Sequence, residues 1–468
     1  MLNYLPKYYM SQAIGLFLVI FAAISVLFIS NILPLLWVFP VLFEVVAFFY
    51  FSAVYTRKWA NVSNVLYQKM LFLMAFAIRV AFVFISYFFF DYMTGQPFEF
   101  EAGDAVGYHG EGIWVSGLLK DGKFGLYLEY IGKNYSDMGY PLYLGILYSI
   151  VGDGVLIPRI IKALLGAFTC VLVYRIASRN FGEGAGRIAG ILAMLVPNLI
   201  YYCGLHLKET EMVFLAVMFI NLADTLLRAQ RLNFKNVLLL CLVGASLFFF
   251  RTVLAVCLWA SLFVAVFFIS SRISGTGKKV GIVVLVLVAG GLIFFSSLGD
   301  NVQEYLEGGD KNLTKQMYNY ANRAGGKSNK LAQYGSKSVF LPLMLLAPFP
   351  TLVDTQQPNA MMLGGAFFTR NVYAFFVFVT LFVMYKRKLW RNHALLLSIV
   401  FSYLFVLASS GFALSERFHL PVVPFLLILA SFGITQMNSS NKKYYFPYLL
   451  FIAVLVIGWN WFKLAGRA

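Results

Sequence analysis

MLFLMAFAIRVAFVFISYFFF, residues 70–90, carries a single charge, Arg79. As a helix rising 1.5 Å per residue it reaches about 30 Å, the thickness of a bilayer's hydrocarbon core. The next stretch, DYMTGQPFEFEAGDAVGYHGEG (91–112), replaces the apolar run with acids and glycines. Long apolar runs ended by short polar links recur along the chain, and that alternation reads as an all-α polytopic membrane protein.

Composition agrees. Of 468 residues, 60% are hydrophobic and 12% are charged, against about 25% charged in a soluble domain. Mean hydropathy is +0.78. The opening MLNYLPKYYM leads into another apolar run with no small-residue cleavage site, so a retained first helix is expected. Cys170, Cys203, Cys241 and Cys257 lie in or beside apolar segments without metal-ligand spacing, and read as packing residues.

Spans are expected near 12–31, 34–54, 70–90, 157–176, 185–204, 209–227, 236–250, 253–271, 280–298, 368–385, 393–410, 418–436 and 444–462, about thirteen in all. The net charge of +17 concentrates in alternate links, which argues against a nucleic-acid partner. These links carry Arg57, Lys58 and Lys69; Arg175, Arg179 and Arg187; Arg228, Arg231 and Lys235; Arg272, Lys278 and Lys279; Lys386, Arg387, Lys388 and Arg391; and Lys442 and Lys443. The positive-inside rule makes them cytoplasmic, with the N-terminus inside and the C-terminus outside. Most acids fall on the other side. Residues 140–151, YPLYLGILYSIV, tempt a further span, but one there would reverse every later basic link; a short helix in the outer interface is expected instead.

The organisation expected is two N-terminal helices with a basic link (1–69), a transmembrane module with outer loop 91–156 (70–298), a second outer loop (299–367) and C-terminal helices (368–468). Within the second loop, 338–352 reads as an apolar helix packed on the membrane surface.

Three outer stretches hold the chemistry-bearing residues. GDAVGYH (103–109) sets a carboxylate, a phenol and an imidazole (Asp104, Tyr108, His109) close together at a span's exit, where partial desolvation tunes a catalytic base; a solvated acidic loop with Asp104 as a helix cap is the plainer reading. HLKETE (206–211) puts Lys208 and Glu209 at a span boundary. A cation at a helix N-terminus opposes the dipole, so an anionic partner suits Lys208, although a lysine also snorkels harmlessly. SERFHLPVVP (415–424) opens a span with Glu416, Arg417 and His419; an arginine there can clamp a phosphate, or serve as an interfacial anchor neutralised by Glu416. Arg251, between two short spans, is a turn residue or a member of the same anion site. His109, His206 and His419 all face outward, so a divalent metal is an alternative, without motif spacing to back it. Glu44 and Arg79 lie inside spans, where ionisable groups are costly; they can pair with each other.

In their order and common sidedness these stretches resemble the GT-C superfamily of polyprenyl-phosphate-sugar-dependent glycosyltransferases, in the branch of protein O-mannosyltransferases and the aminoarabinose transferase of lipid A. The family's catalytic aspartate in the first large outer loop is matched by Asp104 in GDAVGYH, and its Pro-containing interfacial helix by Tyr140-Pro141. PRIIKALLGAFTCVLVYRIASR (158–179), AGRIAGILAMLVPNLIYY (185–202) and ERFHLPVVP (416–424) follow in the family's order. The match covers roughly 70–230 and 410–436. Two extra N-terminal spans depart from the pattern, as does the lack of an acidic dipeptide with arginine behind Asp104, which leaves the acceptor class open.

The resemblance implies a GT-C-like bundle and an inverting transfer on the outer face of a bacterial plasma membrane. The partners it implies are a polyprenyl-phosphate-linked sugar donor within the membrane lipid and an acceptor of undefined class. Asp104 would be the base. Arg417, Lys208, Arg251 and His419 would bind the donor phosphate, and Tyr108, His109, Glu209 and Tyr140 would orient substrate. No cofactor is implied. A polysaccharide polymerase or ligase, whose large outer loop is rich in basic residues, and a lipid or solute transporter are the rival readings.

Overall fold

A computed structural model describes residues 3–132, 135–229, 233–269, 340–409 and 415–465. Among them every regular element is helical, and nine helices are long and apolar enough to cross a membrane. The chain is thus a multi-pass membrane protein in its architecture. The expected span 280–298 and the loop residues 299–339 lie outside the described residues.

Helices α1 (Lys7–Leu27), α2 (Leu35–Lys58) and α3 (Asn64–Thr94) lead into three shorter ones, α4 (Gly103–Lys120), α5 (Phe124–Ile131) and α6 (Gly139–Val151). Then come α7 (Leu156–Phe181), α8 (Glu183–Leu195), α9 (Pro197–Tyr201), α10 (Glu209–Arg228), α11 (Phe234–Phe250) and α12 (Thr252–Ile269). The C-terminal part adds long helices at Gly364–Lys386, Ala394–Ser409, Val423–Thr435 and Tyr445–Ala465.

Sequence polarity sorts these helices radially. Beyond its polar opening turn the span 416–435 is apolar on every side, with 94% of its most apolar 18-residue window buried, whereas the same measure for α1 is 22% and its apolar surface turns outward. A helix apolar on every side belongs at a bundle's centre, and lipid suits the outer ones equally well. Close approach at the centre needs small residues: Gly433 lies against the Phe376 carbonyl, and Gly190 against Tyr67 and Leu71, with no room for a Cβ.

Among the described residues, the links around 57–64, 179–187, 224–228 and 387–393 gather at one end. Arg187 donates to the carbonyls of Trp59 (2.7 Å) and Ala60 (3.0 Å) and pairs with Glu183 at 2.9 Å. Arg179 and Arg228 share Asp224 at 2.7 and 2.8 Å, and His393 reaches Asn180 at 3.2 Å. Because α3, α7 and α10 run the length of the bundle, their other ends carry residues 91–102, 156–162 and 209–211 together at the opposite end.

Residues 140–151 form the expected short helix: α6 has 13 residues and packs on α4, with Gly112 under Leu144 and Tyr148. Two expectations are corrected. The apolar run 185–204 is not one continuous helix. Pro197 cannot donate to the carbonyl of Ala193, so the helix stops at Leu195 and restarts as α9, and residues 202–208 follow as buried irregular chain. The freed carbonyls of Ala193 and Met194 accept from Arg79 at 3.0 and 3.3 Å. Nor is 338–352 a surface helix. Within its described residues, 340–352, only Phe340–Leu346 is helical; the chain then runs buried through 347–353, since Pro348 and Pro350 lack the amide donors a continued helix needs.

Arg79 and Glu44 do not pair. The Glu44 carboxylate accepts from the Ala366 amide at 2.8 Å, in the first turn of helix Gly364–Lys386, where the dipole favours an anion. All four cysteines are free thiols.

Candidate functional site

Three stretches expected to hold the chemistry meet at the bundle end remote from the basic links. Asp104 stands in the first turn of α4 and Glu209 in the first turn of α10, both where the helix dipole favours a carboxylate. Arg417 lies in the single helical turn Glu416–His419 that opens the central span. A cation is disfavoured at such a place, and two anions compensate: Nη1 of Arg417 donates to Asp104 Oδ2, and Nε donates to Glu209 Oε1. The partners, 313 and 208 residues away in sequence, sit at different depths. Glu209 is fully buried, Arg417 is 21% exposed and Asp104 is 63% exposed. The guanidinium therefore spans from dry interior to open surface. Its outer bond is of the weak, screened kind, while its inner one holds a buried charge that is costly to uncover.

Aromatic rings flank the triad. Tyr108, one helical turn after Asp104 and on its face, has the Lys208 ammonium 5.8 Å from its ring centroid. Tyr108 also meets Tyr140 edge to face at 5.1 Å. Arg251 follows α11 in extended conformation and stacks on Phe418, next in sequence to Arg417, at 4.2 Å. Asp104, Glu209 and Arg417 are thus in direct contact, and Lys208, Tyr108, Tyr140 and Arg251 stand around them.

The two remaining candidates have other partners. His419 Nδ1 bonds Arg370 Nη2 at 2.8 Å, on the interior side of the central span. His109 Nδ1 meets Tyr148 Oη at 2.9 Å, and the same oxygen meets His206 Nε2 at 3.0 Å. Burial first, then Lys162 and Arg159, holds His206 well below the ordinary 6.5, and burial holds His109 down too. Both rings are therefore neutral at pH 7, and which nitrogen donates depends on the tautomer. The three histidines do not converge, and among the described residues no group of three His, Cys, Asp or Glu is placed to hold a metal.

Beneath the triad lie residues to which sequence reasoning gave no role in the site. Lys162, fully buried on α7, donates to the carbonyls of Leu205 (2.7 Å) and Leu207, and its ammonium is 3.9 Å from Glu211. Arg159, one turn earlier and equally buried, donates to the Pro97 carbonyl and lies near the Phe98 ring at 6.0 Å. Glu99 is buried beside it, and burial raises its carboxyl above the usual range against the pull of Arg159. The available signal was Arg159 and Lys162 three residues apart inside an otherwise apolar run, too deep for both to snorkel.

No family model matches the chain, and neither a curated protein nor a solved structure matches it.

Proposed function

We propose that this chain is a membrane glycosyltransferase that moves a sugar from a polyprenyl phosphate to an acceptor, with inversion. The observation that supports this reading is the seating of Arg417 between exposed Asp104 and buried Glu209. A phosphate offers Arg417 two oxygens in the fork geometry guanidinium prefers, and so competes with the exposed carboxylate for Nη1. Glu209 keeps Nε and holds the group in place. Donor binding then frees Asp104 at the moment a base is needed.

In the step proposed, the acceptor O–H or N–H gives its proton to Asp104 while the heteroatom attacks the anomeric carbon. The bond from that carbon to the phosphate oxygen breaks, and polyprenyl phosphate leaves with the electron pair. Arg417 and Lys208 stabilise the charge that develops, with Arg251 beside them. Tyr108 and Tyr140 border the sugar. The gathering of basic links at the opposite end supports an outward-facing site under the positive-inside rule, and the GT-C resemblance supports a bacterial plasma membrane. The charges that would favour a transporter, Glu44 and Arg79, each have a local backbone partner.

Mass spectrometry of lipids co-purifying with the solubilised protein tests the reading. Wild type and Asp104→Asn are expected to retain polyprenyl phosphate or its glycosylated form, Arg417→Ala to lose it, and Asp104→Asn to lose transfer. Absence of polyprenyl lipid from wild type overturns the proposal, and an Asp104→Asn variant with full activity favours a polymerase or ligase.

A further inference from the structure

Glu211, Tyr140 and Tyr143 form a second polar group beside the triad, from α10 and α6. Glu211 is 4% exposed and Tyr140 is fully buried. Among the described residues neither oxygen of Glu211 and neither phenol oxygen has a hydrogen-bond partner, and Oε2 of Glu209 is in the same condition. The groups are neighbours nonetheless. Lys162 lies 3.9 Å from Glu211 and 5.9 Å from the Tyr140 ring centroid, and the two tyrosine rings stack at 6.1 Å. Lys162 balances the carboxylate's charge at that distance without hydrogen-bonding it, two of its three donors going to the carbonyls of Leu205 and Leu207. Burial, then the Glu211 charge, raises both phenols, so they remain protonated donors.

Native structures rarely leave several buried polar atoms unsatisfied side by side. Here the pattern specifies what would satisfy them. A carboxylate only accepts, while a phenol both donates and accepts, so a ligand bearing several hydroxyls, each a donor and an acceptor at once, complements the group. Lys162 and Glu211 cancel in charge, which selects against an ion of either sign. Aromatic surface borders the group.

We propose that Glu211, Tyr140 and Tyr143 form a carbohydrate subsite that takes the hydroxyls of a neutral sugar ring. This rests on the transferase reading for what the sugar is attached to. The subsite lies inward of Arg417, so the ring's hydroxyls would point into the bundle while the anomeric carbon faces Asp104.

Thermal unfolding of the full chain in lipid nanodiscs, free of glycerol and sugar-based detergent, tests the subsite with two probes. The first is a panel of D-glucose, D-mannose, D-galactose and L-arabinose. At least one is expected to raise the wild-type Tm, with the half-effect concentration shifted about tenfold or more upward in Glu211→Gln and in Tyr143→Phe, since each removes a hydrogen bond to the ligand. Tyr143→Phe without sugar is expected to match or exceed wild type in Tm, because its hydroxyl has no bond to lose. A panel that leaves the wild-type Tm unmoved, a response in both variants equal to that of wild type, or a lower Tm for sugar-free Tyr143→Phe overturns the subsite. The second probe is undecaprenyl phosphate: a wild type that answers to sugar but not to this lipid overturns the lipid-linked donor and leaves the subsite standing.

Discussion

The chain at 196–208, where only the short α9 is helical, and at 347–355 departs from continuous helix inside the bundle, and largely different chemistry holds each stretch. The first is stitched by cations reaching across from neighbouring helices: Arg79 takes the carbonyls before Pro197, and Lys162 those of Leu205 and Leu207. The second is held mainly by amides. Asn460 accepts from the Leu352 amide at 2.7 Å and donates to Pro350 at 3.0 Å, and Asn371 donates to the carbonyls of Leu346 and Pro348 at 2.6 and 3.0 Å. Irregular backbone buried in a bundle needs such partners, since its apolar surroundings supply none. An amide satisfies a carbonyl and adds no charge. A lysine satisfies two and imports a charge that must itself be balanced, and Glu211 balances it. The cationic stretch is thereby coupled to Glu211, beside the candidate site; the second stretch meets the turn that carries Arg417 through Arg370, which donates to the Met344 carbonyl at 3.0 Å and bonds His419 at 2.8 Å.

The largest effect should come from Lys162→Met. It strands two carbonyls and leaves Glu211 a buried, unpaired charge, which costs about 3–5 kcal/mol. In thermal unfolding this appears as a sharp drop in Tm or loss of monodisperse protein. Adding Glu211→Met is expected to restore part of the loss, because the uncompensated charge goes with it. A double variant no more stable than Lys162→Met would sever the proposed link between the break and the carboxylates.

Asn460→Leu should cost about 3 kcal/mol, from the orphaned Leu352 amide and Pro350 carbonyl together. Its signature is the sharper part of the comparison. The folded fraction is expected to retain co-purifying lipid as wild type does, whereas Lys162→Met loses lipid and stability together. Equal lipid loss in both would show the two stretches to be equally coupled to the site.

The same two stretches mark where the sequence is legible. Runs such as 70–90 and 368–385 declare themselves, because uninterrupted apolarity over a bilayer's thickness has one helical solution. The run 185–204 is as apolar, yet hydropathy does not register the hydrogen bond Pro197 cannot make, nor that Arg79, more than a hundred residues earlier, repairs it. Pro348 and Pro350 were visible too, masked by the apolarity around them. At the site, Asp104, Glu209 and Arg417 stand out because each is a charge at the mouth of a span. Lys162, Glu211 and Tyr148 do not, since their partners are backbone carbonyls, one another or, for Tyr148, the rings of His109 and His206, all set by the packing of several elements. That the 103–109 aspartate and the 415–424 arginine would meet follows from tertiary contact alone.

The smallest effect concerns His206, whose ring lies in the cationic stretch among Tyr148, Tyr140, Lys162 and Arg159, with His109 beyond Tyr148. Burial and those cations set its folded pKa well below 6.5, while the unfolded ring keeps the ordinary value. Protons then favour the unfolded chain: stability is complete above pH 6.5 and declines as pH falls beneath it. The decline approaches about 1.4 kcal/mol per pH unit while the folded ring stays neutral, or about 1 kcal/mol between pH 6.5 and 5.5. His206→Gln keeps a polar group of similar reach that does not titrate, so its unfolding should be flatter over that interval, with Asn460→Leu still showing the wild-type slope. Parallel slopes in wild type and His206→Gln would mean that the ring already carries its proton when folded. Tyr148 would then accept from a third cation in this stretch, and the charge carried by 196–208 and its partners would exceed what Glu211 balances.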